Sequence, residues 1–235
     1  NDPMRIAVFF SGGASSLRAM LQDGKLYQVV GSYTDNANAK GRQLCRENGI
    51  PNLFISRKKF YSDYELDPSD WNSRKRFYEM LTKQIEPFDA DLICLSGYMH
   101  IVSDPLLTEY KDRILNVHPA NLAILAGSPY SRLDVSDWSA KEVKEFADSK
   151  ELKRKYKGEN TVFDVIVAHD YATRSTIHIV TEEFDQGPIV VQSKPFYLER
   201  PSCTDPKDFA SSLQETMKIE GDGPAYLKAL ELISQ

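Results

Sequence analysis

Residues 5–10 read RIAVFF, and the chain then passes straight into Ser11-Gly12-Gly13-Ala14-Ser15-Ser16 before apolar residues resume at Leu17. A short run rich in apolar, β-forming residues, without alternation, predicts a strand buried on both faces. A strand, a small-residue turn and a helix start together make an anion-binding corner, where unpaired N–H groups at a helix N-terminus meet a phosphate. The spacing is neither GxGxxG nor GxxxxGKS, so the dinucleotide and nucleoside-triphosphate fingerprints are both unmet. The same corner also serves as a plain tight connection.

The βα alternation continues. Strands are expected at residues 28–33, 52–55, 91–95 and 113–117. Between them, helices are expected at 39–48, 71–85 and from Ser103, as its cap, to Tyr110; residues 60–70 read as a surface loop. This rhythm predicts an α/β fold: a mostly parallel twisted sheet with helices on both faces and right-handed crossovers, a Rossmann-type three-layer architecture. In the second half, residues 139–156 read as a solvated helix anchored by Trp138, and the basic run at 153–157 as part of an exposed face. Residues 175–181 (STIHIVT) alternate as a half-buried strand, Asp185-Gln186-Gly187-Pro188 turns, and 189–196 return as the next strand. These two form an antiparallel extension in the C-terminal half. Closing helices at 209–219 and 226–233 are interrupted at 221–224.

Composition limits the classes open to such a chain. Its 235 residues suit one domain, placed at 4–235, and Asn1-Asp2-Pro3 ahead of Met4 reads as an expression remnant. Hydrophobic residues are 41%, charged residues 27% and the net charge is −5, which gives no whole-chain case for nucleic acid. The longest charge-free run, 114–131, contains Asn116, His118, Pro119 and Asn121 and reads as a strand leading into a loop, so no membrane partner is expected. Three scattered cysteines, Cys45, Cys94 and Cys203, fit a reducing, cytoplasmic compartment. Four histidines without HExxH spacing or cysteine companions give no metal site.

Asn116-Val117-His118-Pro119 ends a strand expected in mid-sheet. Alternation puts Asn116 and His118 on one face, and ligands of open α/β sheets gather outside the carboxyl ends of strands. An amide donor beside an imidazole suits a reaction that develops an oxyanion while a proton moves. An Asn/His pair that merely closes a turn stays open as the bland alternative. Asp185 follows the alternating strand, where its carboxylate could orient an imidazole, although turns favour aspartate for local reasons. His178 reads as a sheet residue, His169 as near a helix end, and His100 as a possible pocket wall.

Three ordered segments, RIAVFFSGGASSL, LICLSGYMHIVSDPLLTEYKDRILNVHP and STIHIVTEEFDQGPIVVQ, resemble the folate-dependent formyltransferase family, with a general match at 159–171. The resemblance covers most of the chain outside residues 128–157, which read as an insertion. It implies a phosphate-binding half at about 4–95 and a folate and catalytic half at about 96–235. By position it makes Asn116, His118 and Asp185 catalytic and Gly13, Ala14, Ser15 and Ser16 the phosphate loop. Met99, His100, Ile101, Val102 and Leu107, with Thr181, Glu182, Glu183, Phe184 and Asp185, fall on the folate-binding region. The implied reaction transfers formyl from 10-formyltetrahydrofolate to the amine of glycinamide ribonucleotide in purine biosynthesis, in a monomer or homodimer without a metal. Asn116 would stabilise the oxygen of a tetrahedral species, His118 would act as charged donor or proton carrier, and Asp185 would orient water and His118.

The chain also departs from the family pattern. Ala120-Asn121-Leu122-Ala123 stand where Ser-Leu-Leu-Pro is usual; Gly13, Ala14 and Ser16 where Asn, Gly and Asn are usual; and Arg174 where a glycine is usual. Glu220 is the nearest candidate for the family's acceptor-contacting acid. Two alternatives follow: another phosphorylated amine, such as a nucleotide-linked amino sugar, or a noncatalytic folate- or nucleotide-binding homologue.

Overall fold

The computed structural model describes residues 2–23 and 26–235; Asn1 of the leading tripeptide lies outside them. The first half runs β1 (Met4–Phe10), α1 (Ser15–Asp23), β2 (Tyr27–Thr34), α2 (Gly41–Glu47), β3 (Asn52–Phe54), α3 (Arg57–Asp63), α4 (Trp71–Ile85), β4 (Leu92–Leu95), α5 (Leu106–Glu109) and β5 (Ile114–His118). The second half runs β6 (Ile124–Gly127), β7 (Tyr130–Asp134), α6 (Ala140–Lys150), β8 (Lys153–Arg154), α7 (Thr161–Val167), β9 (Ala172–Thr173), β10 (Thr176–Ile179), β11 (Ile189–Gln192), β12 (Phe196–Tyr197), α8 (Pro206–Met217) and α9 (Gly223–Ile233). Among the described residues, one seven-stranded sheet has the order β11-β10-β5-β4-β1-β2-β3. Its β1 to β5 pairs are parallel, whereas β10 runs antiparallel to both β5 and β11.

Burial of β1 explains its unbroken apolar run. Ile6, Val8 and Phe10 pack with Leu17 and Met20 of α1 and Tyr226 and Leu230 of α9. Ala7 and Phe9 face the opposite layer, with Phe77, Tyr78 and Leu81 of α4. With a core on each side, Ile6 to Phe10 hold no polar side chain, and each large side chain so buried contributes roughly 1.5–3 kcal/mol. The strand order reverses between β1 and β4, so their carboxyl ends splay and leave a crevice. Ser11 N–H donates to the Gly97 carbonyl there at 3.0 Å.

Several local expectations are corrected. Residues 60–70 are not simply a loop: α3 starts at Arg57, capped by Ser56, and buries Tyr61. The helix expected from Ser103 begins at Leu106, because Asp104, not Ser103, accepts the Thr108 N–H. The charge-free run after β5 contains β6 and part of β7, which with β8 make a separate antiparallel sheet that draws in residues ahead of 128. The solvated helix stops at Lys150, where Glu151 adopts φ +53°; its start has the reciprocal Ser139–Glu142 capping box. Trp138 does pack edge-to-face on Phe146. The strand expected over 189–196 is split, since Phe196–Tyr197 leaves to pair with β9. A π-helical turn over Lys218–Asp222 carries α8 into α9 where an interruption is expected.

Candidate active site

β5 and β10 build the floor. Their register pairs Asn116 with His178 and His118 with Thr176, so these four side chains share one face. Asn116 Nδ2 lies 3.4 Å from His178 Nε2. Thr176 Oγ1 donates to the Ala120 carbonyl at 2.7 Å and accepts the Leu122 N–H at 3.2 Å, fixing the chain as it leaves His118.

Asp185 enters from the loop after β10. Its carboxylate lies between two imidazoles, Oδ2 at 3.4 Å from His118 Nδ1 and Oδ1 at 3.6 Å from His178 Nε2. Asp185 has φ +53°, a left-handed conformation that aspartate tolerates better than most residues. The loop needs Gly187, because a Cβ there would sit 1.6 Å from the Ile179 carbonyl oxygen. The geometry therefore brings Asn116, His118 and Asp185 together. It adds His178, which the sequence reading left as a plain sheet residue. Its register opposite Asn116 is the signal that could have found it.

The basic run at 153–157 is corrected by what covers this cluster. Tyr156 is buried and its carbonyl accepts His118 Nε2–H at 2.8 Å, while its hydroxyl donates to Asp170. Arg132 bonds the same Asp170 at 2.7 Å, tying β7 to the chain after α7. Arg154 Nη1 donates to the Asp185 carbonyl and Gly158 N–H to Asp185 Oδ2. Burial pushes the His118 imidazole below its ordinary pKa, outweighing Asp185 and the Tyr156 carbonyl, which favour the cation. Burial likewise takes His178 down to about 4. With Nε2–H committed to a carbonyl, a hydrogen bond between His118 Nδ1 and Asp185 uses a second proton, donated by Nδ1 to the carboxylate or by the carboxylic acid to Nδ1.

The β1–α1 corner keeps Gly12 and Gly13 exposed and Ser15 half-buried, whereas Ser16 is 1% exposed. Ala14 has φ +53°, the left-handed region in which glycine is cheaper. Asp35, at the end of β2, accepts Ser11 Oγ–H at 2.7 Å and contacts His100 Nε2 at 2.6 Å. Burial opposes ionisation of Asp35, but the His100 and Ser11 hydrogen bonds win and hold its carboxyl below the usual value.

Met99, His100 and Ile101 line a groove of about 640 Å³ together with Arg57, Lys58, Tyr61, Arg74 and Glu159. Val102 and Leu107 instead pack in the aromatic layer beneath. Thr181, Glu182, Glu183 and Phe184 lie outside that groove, in the half-buried to exposed loop leading to Asp185. Glu220 is half-exposed and pairs with Lys194 at 3.1 Å. Sequence reasoning missed Arg57, which packs over Phe77 and donates to the Tyr61 hydroxyl. Among the described residues no group of three or more His, Cys, Asp or Glu could hold a metal ion, and no helix is long and apolar enough to cross a membrane.

The structure is thus an open α/β sheet that brings an amide, two imidazoles and a carboxylate together near its strand ends. The formyl transferase family matches residues 4–131, just over half of the chain, and the chain belongs to that family. It is similar to the phosphoribosylglycinamide formyltransferase of Escherichia coli K12, 25% identical over 195 residues that cover 81% of this chain and 72% of that protein. It is also 25% identical over 238 residues to the trifunctional purine biosynthetic protein adenosine-3 of Gallus gallus; the match takes in 99% of this chain but spans only 19% of that relative. Glycinamide ribonucleotide transformylase 1 from Symbiobacterium toebii shares the fold, with TM-score 0.69 at 22% identity over 99% of this chain and 88% of that one.

Proposed function

We propose that this chain transfers the formyl group of 10-formyltetrahydrofolate to the primary amine of glycinamide ribonucleotide, with Asn116, His118 and Asp185 as catalytic residues. The observation that carries the reading is the Asp185 carboxylate held against His118 and His178 beside the Asn116 amide, in a chain of this family. The groove with Arg57, Lys58 and Arg74 around Tyr61, Met99 and Ile101 suits an elongated aromatic ligand bearing carboxylates. Bound, the folate supplies the activated formyl group.

The residues then divide the work. Asn116 donates an N–H toward the formyl oxygen as negative charge develops. His118, kept neutral by burial, accepts a proton from the attacking amine on Nδ1, and Asp185 stabilises the resulting cation. The new bond joins the formyl carbon to the acceptor nitrogen, the bond to the folate nitrogen breaks, and the proton passes to that departing nitrogen. N–H groups around Gly13 to Ser16, at the start of α1, hold the acceptor phosphate.

A competition assay tests the reading, following tetrahydrofolate release with one formyl donor. Glycinamide ribonucleotide should be preferred over its dephosphorylated form and over nucleotide-linked amino sugars. Preference for an amino sugar would replace the acceptor. Turnover with no acceptor would overturn the transferase assignment.

A further inference from the structure

We propose that Arg154 is a positioning residue that holds Asp185 in place, supplied by a segment the family resemblance does not cover. The role in turnover rests on the proposed function; the structural claim stands on the loop itself. Asp185 occupies a left-handed backbone conformation, which aspartate can enter but which only neighbouring contacts fix in a single geometry. Two bonds from the returning chain do so. Arg154 Nη1 grips the Asp185 carbonyl at 2.8 Å, and Gly158 N–H grips Oδ2 at 2.9 Å. One fixes the backbone and the other the side chain, so the second carboxylate oxygen stays turned toward His178.

Arg154 reaches this point because β8 is pinned to β6. Leu125 pairs with Arg154, and Lys155 N–H donates to the Ile124 carbonyl at 2.9 Å. Among the described residues no carboxylate lies within 4 Å of the Arg154 guanidinium, so Asp185 is its main counter-charge, from longer range. The groups facing His118 are Asp185, the Tyr156 carbonyl and Arg154; His178 faces the same carboxylate. Burial depresses both imidazoles first, Asp185 opposes, and the Arg154 charge adds to the depression. Removing Arg154 lifts that last, smaller depression but also releases the Asp185 carboxylate, whose larger opposing effect weakens, so the net movement of both histidines is downward.

The test compares Arg154→Gln and Arg154→Lys with the parent chain by kcat, KM for both substrates, the pH–rate profile and NMR titration of the histidine ring protons. Arg154→Gln should lower kcat on the order of tenfold or more with little change in either KM, as expected when a reacting group is misplaced. It should also move the His118 titration, and the acidic limb of the profile, downward as Asp185 loosens. Arg154→Lys keeps the charge, so its titration should stay closer to the parent. A folded Arg154→Gln chain with parental kcat and an unmoved His118 titration overturns the proposal. If Arg154→Gln does not fold, Arg154→Met, which keeps the aliphatic stem without donor or charge, takes its place, and parental kcat with an unmoved titration in it overturns the proposal as well. If the parent transfers no formyl group, the proposed function fails, and the titration still decides whether Arg154 acts on His118.

Discussion

His118 Nδ1 lies 3.4 Å from Asp185 Oδ2, and both side chains are nearly withdrawn from solvent. Since His118 already donates Nε2–H to Tyr156, the gap to Asp185 is bridged when the pair carries one further proton. The state of the pair is therefore sensitive to every charge around it.

Turnover should fall roughly 10²-fold or more in Asn116→Ala and His118→Ala, the scale seen when donors to a developing charge are lost. Asp185→Asn is the sharper variant. Asparagine also tolerates the left-handed backbone, so unfolding should change little while kcat falls comparably. Steady-state kinetics beside thermal unfolding checks this; near-parental kcat in any of the three removes that residue from the reaction.

His178 is buried neutral, with its pKa taken down to about 4, whereas an unfolded histidine titrates near 6.5. Its folded value is depressed, so the stability tied to it is complete above about 6.5 and is lost as pH falls toward 4. His118 acts with the same sign. Denaturant unfolding at several pH values should show His178→Asn losing less stability between pH 7 and 4.5 than the parent. Equal losses would mean that His178 does not carry this term.

Asp222 accepts Ser175 Oγ–H at 2.6 Å, and burial raises its pKa to about 6 from an ordinary 3.8. A raised folded value makes its contribution largest at low pH and diminishes it as pH rises through 6, the reverse of the histidines. Asp222→Asn keeps an acceptor for Ser175 and removes the charge. Its stability relative to the parent should rise between pH 4 and 8, by about 2–3 kcal/mol at the upper end. A difference that stays flat with pH would show that Asp222 does not titrate there.

Ala14→Gly should relieve the left-handed strain at the start of α1. The gain is about 0.5–1 kcal/mol, because glycine also gains freedom in the unfolded chain. Chemical denaturation measures it, and a destabilised variant would show that Ala14 packing, not its φ, dominates.

The alternation of short, mostly apolar strands with amphipathic helices already specified the β1 to β5 layers, because strands covered on both faces read as apolar runs bounded by turn residues. Helix α4 was legible to the residue, with apolar positions spaced at helical period. The β6–β7–β8 sheet was not: its strands are short, and charged residues in β7 and β8 hide the strand pattern. Arg154 is half-buried because a carbonyl in another loop accepts its N–H, a reason found nowhere in its neighbours. His178 was hidden for the same cause, since an alternating strand says which residues share a face but not which strand lies opposite.

Sequence alone determined the layered α/β architecture, the pairing of Asn116 with His118 on one strand face, and the turn that bears Asp185. Each depends on local preferences that act over a few residues: period-two alternation, apolar runs and turn chemistry. Only the tertiary structure decided that His178 joins them, that Tyr156 and Arg154 close over them, and that burial rather than the nearby carboxylate governs the imidazoles. Those outcomes follow from contacts between segments far apart in the chain, where desolvation and hydrogen-bond partners are set by packing that no single segment encodes.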